Sequence, residues 1–284
     1  VFFSSESFPF SDKAHTSALA ELLAIIKAKS GANDVKEHAR SVNFSVQGVA
    51  IDLLPAAALP EGPLSFLTVP APQRENAEPS AAVLQRDFIA GQSEACRRLI
   101  RLAKLWRDAV GHWPPGAFPK SYLLELLCVH AFQQCTVAPS FMQLPSDDRL
   151  THAFRAFLAL LVSLHPAGGK LLCWNQHFSQ SALPEALQQQ ALKSLVVIDP
   201  GNPTNNVADV VTAGWALASD RAKESLKRFE DTAISMLIGR VTEVERQAAV
   251  DRAESKAQLA AQQAAIEKQE KRANGLAKWI SVAS

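Results

Sequence analysis

Very little in this chain of 284 residues declares itself by abundance. It has four cysteines, two methionines and a single tyrosine, and aromatic residues make up 7%. Cys96, Cys128, Cys135 and Cys173 form no Cys-x-x-Cys pair and no Cys/His ligand spacing, so neither a zinc site nor a disulfide framework is indicated. Each sits in or near an apolar run. Buried reduced thiols, and with them an intracellular compartment, are the expectation. No stretch of about 18 apolar residues exists, so no membrane span is expected. Charge of one sign is lacking too: 29 Lys and Arg against 28 Asp and Glu leave a net +1. No global basic field points to nucleic acid, although a local basic patch stays open. There is no internal repeat. The opening "VFFSSESF" has neither a basic n-region nor a long apolar core and is no signal peptide. It reads as the end of a strand running into a loop, and the chain is expected to begin inside a domain.

What is present suits a globular protein: 48% hydrophobic residues and 20% charged ones. Residues 17 to 29 carry Leu19, Leu22, Leu23, Ile25 and Ile26 at helical spacing, closed by Ser30-Gly31. Val42, Phe44 and Val46 then alternate with polar residues, and Val49, Ile51 and Leu53 resume the alternation after Gly48. That is the period of strands, with Gly48 as a hairpin turn or a bulge. Asp52 projects from the face opposite Ile51, just before Pro55. A carboxylate there is solvated, paired or holding a metal. On spacing alone, a strand-end aspartate at a solvent edge is the plain reading. The first 60 residues thus form an α+β unit, and the proline-dense residues 60 to 80 read as a loop.

From Ala81 the texture turns helical. "AAVLQRDFIAGQ" is one helix. "SEACRRLIRLAKLWRDAV" is the next, with Leu99, Leu102, Ala103 and Trp106 on one stripe and Ser93 as its cap. "HWPPGAFPK" is a rigid connection. "SYLLELLCVHAFQQC" is too apolar for a surface helix and belongs inside a bundle. "DDRLTHAFRAFLALLVSLH" and "LPEALQQQALKSL" are helical. "LLCWN" is a short strand or buried segment, and "VVIDPGNPTNNVAD" an apolar strand that breaks into a turn-rich loop. "AGWALASDRAKESLKRFEDTAISML" reads as a last long helix. The tail, 240 to 278, is rich in Ala, Gln, Glu, Lys and Arg and predicts a long exposed helix or a weak coiled coil.

Four stretches together resemble the 2′-5′-oligoadenylate synthetase family of template-independent nucleotidyltransferases. They are "VAIDLLPA" (49–56), "LQRDFI" (84–89), "LIRLAKLW" (99–106) with "SYLLELL" (121–127), and "VVIDPGNPTNNV" (196–207). "AFR" (153–155) and Gly214-Trp215 fall in register with them. The resemblance runs over about residues 1 to 228 and leaves the tail without a counterpart. It implies an α+β fold: a nucleotidyltransferase (polymerase-beta-like) lobe over 1–80, incomplete at its N-terminus, an α-helical lobe over 81–229, and a helical tail over 230–284. The wider superfamily includes cyclic GMP-AMP synthase.

What the resemblance implies about chemistry follows residue by residue. Asp52 matches the third metal-binding carboxylate, which would orient an Mg²⁺ ion in a two-metal site. The family's Gly-Ser loop and Asp-x-Asp pair have no counterpart here, so a molecule confined to these residues is expected to be inactive. Lys104 matches a lysine on substrate phosphate, and Arg101 an arginine lining the donor nucleotide pocket. Tyr122 matches a tyrosine that stacks on adenine, and Ser121 stands where the family has glutamine, closer to the cyclic GMP-AMP synthase branch. Without the family, Arg101 and Lys104 read equally as a solvated basic helix face, and Tyr122 as a core tyrosine. Asp199-Pro200 and Asn205-Asn206 read first as an Asx-type turn, with a role in nucleotide binding as the other reading. Arg86 matches an RNA-contacting arginine. The family's two lysines fall at Ala90 and Ala95, with Arg97 and Arg98 as substitutes. The implied reaction makes 2′-5′-linked oligoadenylates from ATP under double-stranded RNA activation, in the cytoplasm and in innate immunity. A cyclic-dinucleotide synthase, or a catalytically dead nucleotide- or RNA-binding scaffold, stands as the alternative. The tail is expected to carry protein contacts or oligomerisation.

Overall fold

The computed structural model describes residues 2–3, 11–29, 32–46, 48–57, 59, 62–111, 113, 120–164, 168–208, 212–228 and 231–283. Most of "VFFSSESF" and of "HWPPGAFPK" lies outside them. The chain splits into two compact units, Val1–Arg228 and Phe229–Ser284.

In the first unit β1 (Phe2–Phe3) precedes α1 (Asp12–Lys29). The helix starts earlier than its apolar spacing predicts, because the Ser11 Oγ accepts from the Ala14 N–H at 3.3 Å and caps the first turn. Ala18, Leu19, Leu22 and Ile26 form its buried stripe. That stripe covers an antiparallel meander of β2 (Asn33–Glu37), β3 (Val42–Val46) and β4 (Val49–Leu53), in that order. Val42 sits at the centre of this core, with Val35, Phe44 and Leu53 around it. Gly48 has φ 79°, so it makes the hairpin turn, a conformation that side chains resist. β2 is a strand that alternation does not announce. Only Val35 of its five residues faces inward at all, and pairing with β3 carries it. β5 (Ala56–Ala57) lies parallel to β1.

Residues 60 to 80 correct the expectation of a loop. Gly62–Thr68, Ala71–Gln73 and Glu78–Ala81 are 3₁₀ turns, and α2 (Arg74–Ala77) is one helical turn. Pro72 and Pro79 fall in first-turn positions, where the missing N–H loses no bond. Phe66, Val69, Ala77 and Ala81 close a second small core.

The helical part begins with α3 (Ala82–Ala90), then α4 (Glu94–Ala109), α5 (Ser121–Thr136), α6 (Pro139–Gln143) and α7 (Ser146–Ser163). Ser93 caps α4 through Cys96 N–H at 3.3 Å, and the predicted stripe of Leu99, Leu102, Ala103 and Trp106 is buried. α5 is buried on nearly all sides, as its composition requires, and packs between α4 and α7. β6 (Lys170–Leu172) follows, then α8 (Glu185–Gln190), β7 (Leu195–Asp199) and β8 (Asn202–Asn206). β7 is parallel to β6, antiparallel to β8 and wholly buried. β8 occupies what reads as loop. Its asparagines supply what its propensity lacks: the Asn206 Oδ1 accepts from Val197 N–H at 2.9 Å and Ala208 N–H at 3.1 Å. α9 (Thr212–Arg228) packs on α7, and Trp106 Nε1 donates to Ser225 Oγ at 2.9 Å. The helix expected across residues 213 to 237 is therefore two. Three of the four cysteines are buried, all are free thiols, and burial pushes the Cys96 thiol up to about 12.

The second unit is α10 (Asp231–Ala283), 53 residues, or about 80 Å at 1.5 Å per residue. Among the described residues no helix is long and apolar enough to cross a membrane.

Candidate nucleotide-binding site

Packing α3 beside α5 leaves a cavity of about 380 Å³, lined by Gln85, Arg86, Ile89, Tyr122 and Glu125 among others. Helical spacing builds both walls. Gln85 and Ile89 are four apart on α3, and Tyr122 and Glu125 three apart on α5, so each pair shares a face. The Lys104 Nζ, on α4, donates to the Glu125 carboxylate, which places a cation behind the cavity wall. Arg86 is 69% exposed at the rim and pairs with its neighbour Asp87 at 2.7 Å.

Below Tyr122 lies a carboxylate that the residue order marks first as a turn former. Asp199 is fully buried. Its Oδ2 accepts from Gln85 Nε2 at 2.6 Å and Asn205 Nδ2 at 3.4 Å, and its Oδ1 from the Tyr122 hydroxyl at 2.9 Å and Gly201 N–H at 2.8 Å. The Gly201 bond is the Asx turn; the other three tie α3, α5 and β8 to the end of β7. Burial raises the Asp199 carboxyl above its ordinary range, and the four donors pull it back only in part. Burial, and then the Asp199 charge, likewise holds the Tyr122 phenol well above its usual value. That proton stays on the hydroxyl, so Tyr122 donates and its ring is held by its far end.

The remaining cations of α4 gather around one carboxylate. Glu94 Oε2 accepts from Arg97 Nη2 at 2.7 Å and Oε1 from Arg101 Nη2 at 2.5 Å. Hydrogen bonds from Arg97 and Arg101 lower the Glu94 carboxyl despite its exposure. Arg97 Nη1 also donates to the carbonyls of Ala90 at 2.6 Å and Gln92 at 2.8 Å, which closes the end of α3. Arg98 reaches Ser146 Oγ at 3.1 Å, and Ser121 Oγ accepts from Arg107 Nη1 at 2.9 Å. So Arg86 and Tyr122 line one cavity, Lys104 meets it through Glu125, and Arg97 and Arg101 meet at Glu94. Asp52 stands apart on β4. It is exposed, faces Asn43 across the ladder, and forms no hydrogen bond or ion pair among the described residues. Sequence reading passed over Gln85, Glu125 and the central place of Asp199. The first two had a signal: Gln85 precedes Arg86 in "LQRDFI", and Glu125 is one helical turn from Tyr122.

Comparison with known proteins places the chain in the nucleotidyltransferase superfamily that includes the oligoadenylate synthetases and cyclic GMP-AMP synthase. A family model described as 2'-5'-oligoadenylate synthetase 1, domain 2, C-terminus matches residues 70–247, and the chain belongs to that family. It is 31% identical over 163 residues to 2'-5'-oligoadenylate synthase-like protein 1 of Mus musculus, covering 54% of this chain and 29% of that protein. It is 32% identical over 151 residues to 2'-5'-oligoadenylate synthase 2 of Homo sapiens, covering 51% of this chain and 19% of the other. The chain thus spans less than a third of the length of either relative. Among solved structures, a chain of the E. coli MS115-1 CdnC:HORMA-deltaN complex aligns with TM-score 0.48 and 19% identity, over 80% of this chain and 67% of that one. Terminal uridylyl transferase 4 from Trypanosoma brucei with bound GTP gives 0.45 and 18%, over 78% and 76%. Neither alignment bears on substrate.

Proposed function

We propose that the chain provides the nucleotide-binding lobe of an enzyme that joins ATP into 2′-5′-linked oligoadenylates. Residues 81–229 would be that lobe, 1–80 part of the nucleotidyltransferase lobe and 230–284 an accessory helical tail. The cavity between α3 and α5 carries the reading. It combines one aromatic ring held by a buried acceptor, a carboxamide, and a glutamate that Lys104 pairs from behind the wall. Tyr122 would stack on adenine, Lys104 and Arg101 would face phosphate, and Ser121 would sit beside the base. A phosphate arriving there competes with Glu125 for Lys104 and with Glu94 for Arg101, because a doubly charged oxyanion binds either cation more strongly than one carboxylate. Tyr122→Ala removes a stacking surface worth about 1–3 kcal/mol, so ATP binding should weaken roughly 5- to 150-fold. Tyr122→Phe keeps the ring and should stay within about threefold of the wild type in an equilibrium titration. Equal binding by the alanine variant would place ATP elsewhere.

The family's Mg²⁺ does not fit the described residues alone. Among them no group of three His, Cys, Asp or Glu side chains could hold a metal ion, and Asp52 is a single exposed donor. Asp52 is therefore proposed as one ligand of a site whose other ligands lie outside the described residues.

Activation by double-stranded RNA is proposed to rest on Arg86 first. It is the most exposed of the three arginines, whereas Arg97 and Arg98 bond within the fold. Duplex RNA affinity should fall with salt, and Arg86→Ala should reduce the log–log slope by about one, with no dependence on duplex sequence. Titrating binding at several salt concentrations measures both. Full turnover without RNA, unchanged on adding it, would remove RNA from the proposal. Linear against cyclic product is separated by analysing what ATP is converted to. Serine at position 121 is the feature that favours the cyclic alternative.

A further inference from the structure

A second cavity, of about 350 Å³, opens beyond the other end of α5, between its last turns and the segment that follows β6. His130, Gln133 and Gln134 line one side, and Asn175, Gln176 and Gln180 the other, with Cys173 and Trp174 between. Tyr122 lies eight residues earlier on α5, or about 12 Å along its axis, and shares no lining residue with this cavity.

The lining is polar without being charged. Among the described residues no Lys, Arg, Asp or Glu lines it, and the charge acting on His130 is that of Lys170, outside the lining, so no side chain of the wall itself neutralises a phosphate, a carboxylate or an ammonium. His130 is held neutral, by burial first and then by the Lys170 charge, and a neutral imidazole presents one donor and one acceptor. Each of the five carboxamides does the same with adjacent NH₂ and C=O groups. Among the described residues the side chains of Gln133, Gln134, Gln176 and Gln180 make no hydrogen bond inside the protein. The natural complement is an uncharged planar molecule whose edge alternates donors with acceptors. A sugar also has hydroxyls to satisfy amides, but it prefers an open aromatic face. Trp174 is only 2% exposed, its indole N–H donates at 2.6 Å to the Ile198 carbonyl, and His130 meets its ring edge-on at 6.4 Å. That leaves edges and not faces for recognition. Glutamine reads the edge of adenine by a paired donor and acceptor, and the volume lies within the range of small-molecule pockets.

We infer that this cavity is a binding site for a nucleobase, taken as a nucleoside or as the base of a nucleotide whose phosphates remain outside. It is separate from the cavity at Tyr122 and does not depend on the reaction proposed above.

Cys173 supplies a reporter. It borders the cavity and is partly exposed, whereas the other three thiols are buried. The full chain is titrated with adenosine, guanosine, cytidine and uridine, while the rate of Cys173 modification by a maleimide is followed by mass spectrometry. At least one nucleoside should slow modification fivefold or more at saturation. The double variant Gln133→Ala/Gln176→Ala should weaken that nucleoside at least tenfold, while Tyr122→Ala leaves the protection unchanged. Protection equal to that by ribose alone, protection lost in Tyr122→Ala, or protection by none of the four overturns the inference.

Discussion

Asp199→Ala is expected to cost about 3–5 kcal/mol of stability, since buried donors left without a partner cost about 1–3 kcal/mol each. The carboxylate is the shared acceptor for Gln85, Tyr122, Gly201 and Asn205. Water entering from the neighbouring cavity can satisfy Tyr122 and Gln85, which keeps the total below four full penalties. The Gly201 N–H has no such relief. A Cβ at Gly201 would stand 3.0 Å from Gln85 Cγ and 3.2 Å from the Ala81 carbonyl, so the turn is pressed against α3. Urea denaturation of wild type and variant measures the loss, and a difference under about 1 kcal/mol would show that the node is dispensable. The pH dependence has a definite sign. Burial raises the Asp199 carboxyl from 3.8, so the folded state holds this proton more tightly than the unfolded chain. The associated stability is fully present below pH 3.8 and is lost as pH rises through the raised value. Asp199→Asn does not titrate there. The stability of wild type minus that of Asp199→Asn should therefore fall as pH rises across this window. A difference that grows with pH would mean the donors outweigh burial.

The second large effect concerns Asp52. In a preparation that converts ATP, Asp52→Asn should abolish turnover while shifting stability by less than about 1 kcal/mol, as expected for an exposed position. The fold does not lean on Asp52, since its cross-strand neighbour is Asn43 and the core beneath is carried by Val42, Phe44 and Leu53. Asparagine keeps the size and shape of the side chain while removing its charge and replacing one acceptor oxygen by an NH₂ donor. Pyrophosphate release at wild-type rate by the variant would remove Asp52 from the chemistry. Loss of turnover with an equal loss of stability would make it a structural residue.

Elements with strong local patterning were legible. α4 could be read from its stripe and its serine cap, α5 from its excess of leucine, and the β3–β4 hairpin from alternation about Gly48. Elements that depend on their surroundings were not. β2 has one apolar residue, and β8 is five residues of asparagine, proline and threonine held extended by pairing with β7, by packing on the 3₁₀ turn Gly62–Thr68 and by the amides of Asn202 and Asn206. The turns over 62–81 hid behind prolines, which end helices in their interior but begin them well. In the candidate site, a resemblance pointed to Tyr122, Arg101 and Lys104. It could not show that Tyr122 hangs from a buried aspartate 77 residues away, because a carboxylate in "DPGN" looks like a turn until its burial is known. Nor could spacing show that Arg97 closes the end of α3.

The bond from Trp106 to Ser225 joins residues 119 apart in sequence, and α9 also covers α7. On a ribosome adding about 5–20 residues per second, roughly 6–25 seconds separate the synthesis of these two partners. Through that interval α4, α5 and α7 can assemble with one another but not with α9, and their outer apolar face meets water bare. The packed group of α4, α5 and α7 is thus born open on one side. Chains that stop before α9 are the natural clients of holdase chaperones and proteases, and arrest between residues 164 and 212 should leave a product that aggregates where the full chain does not.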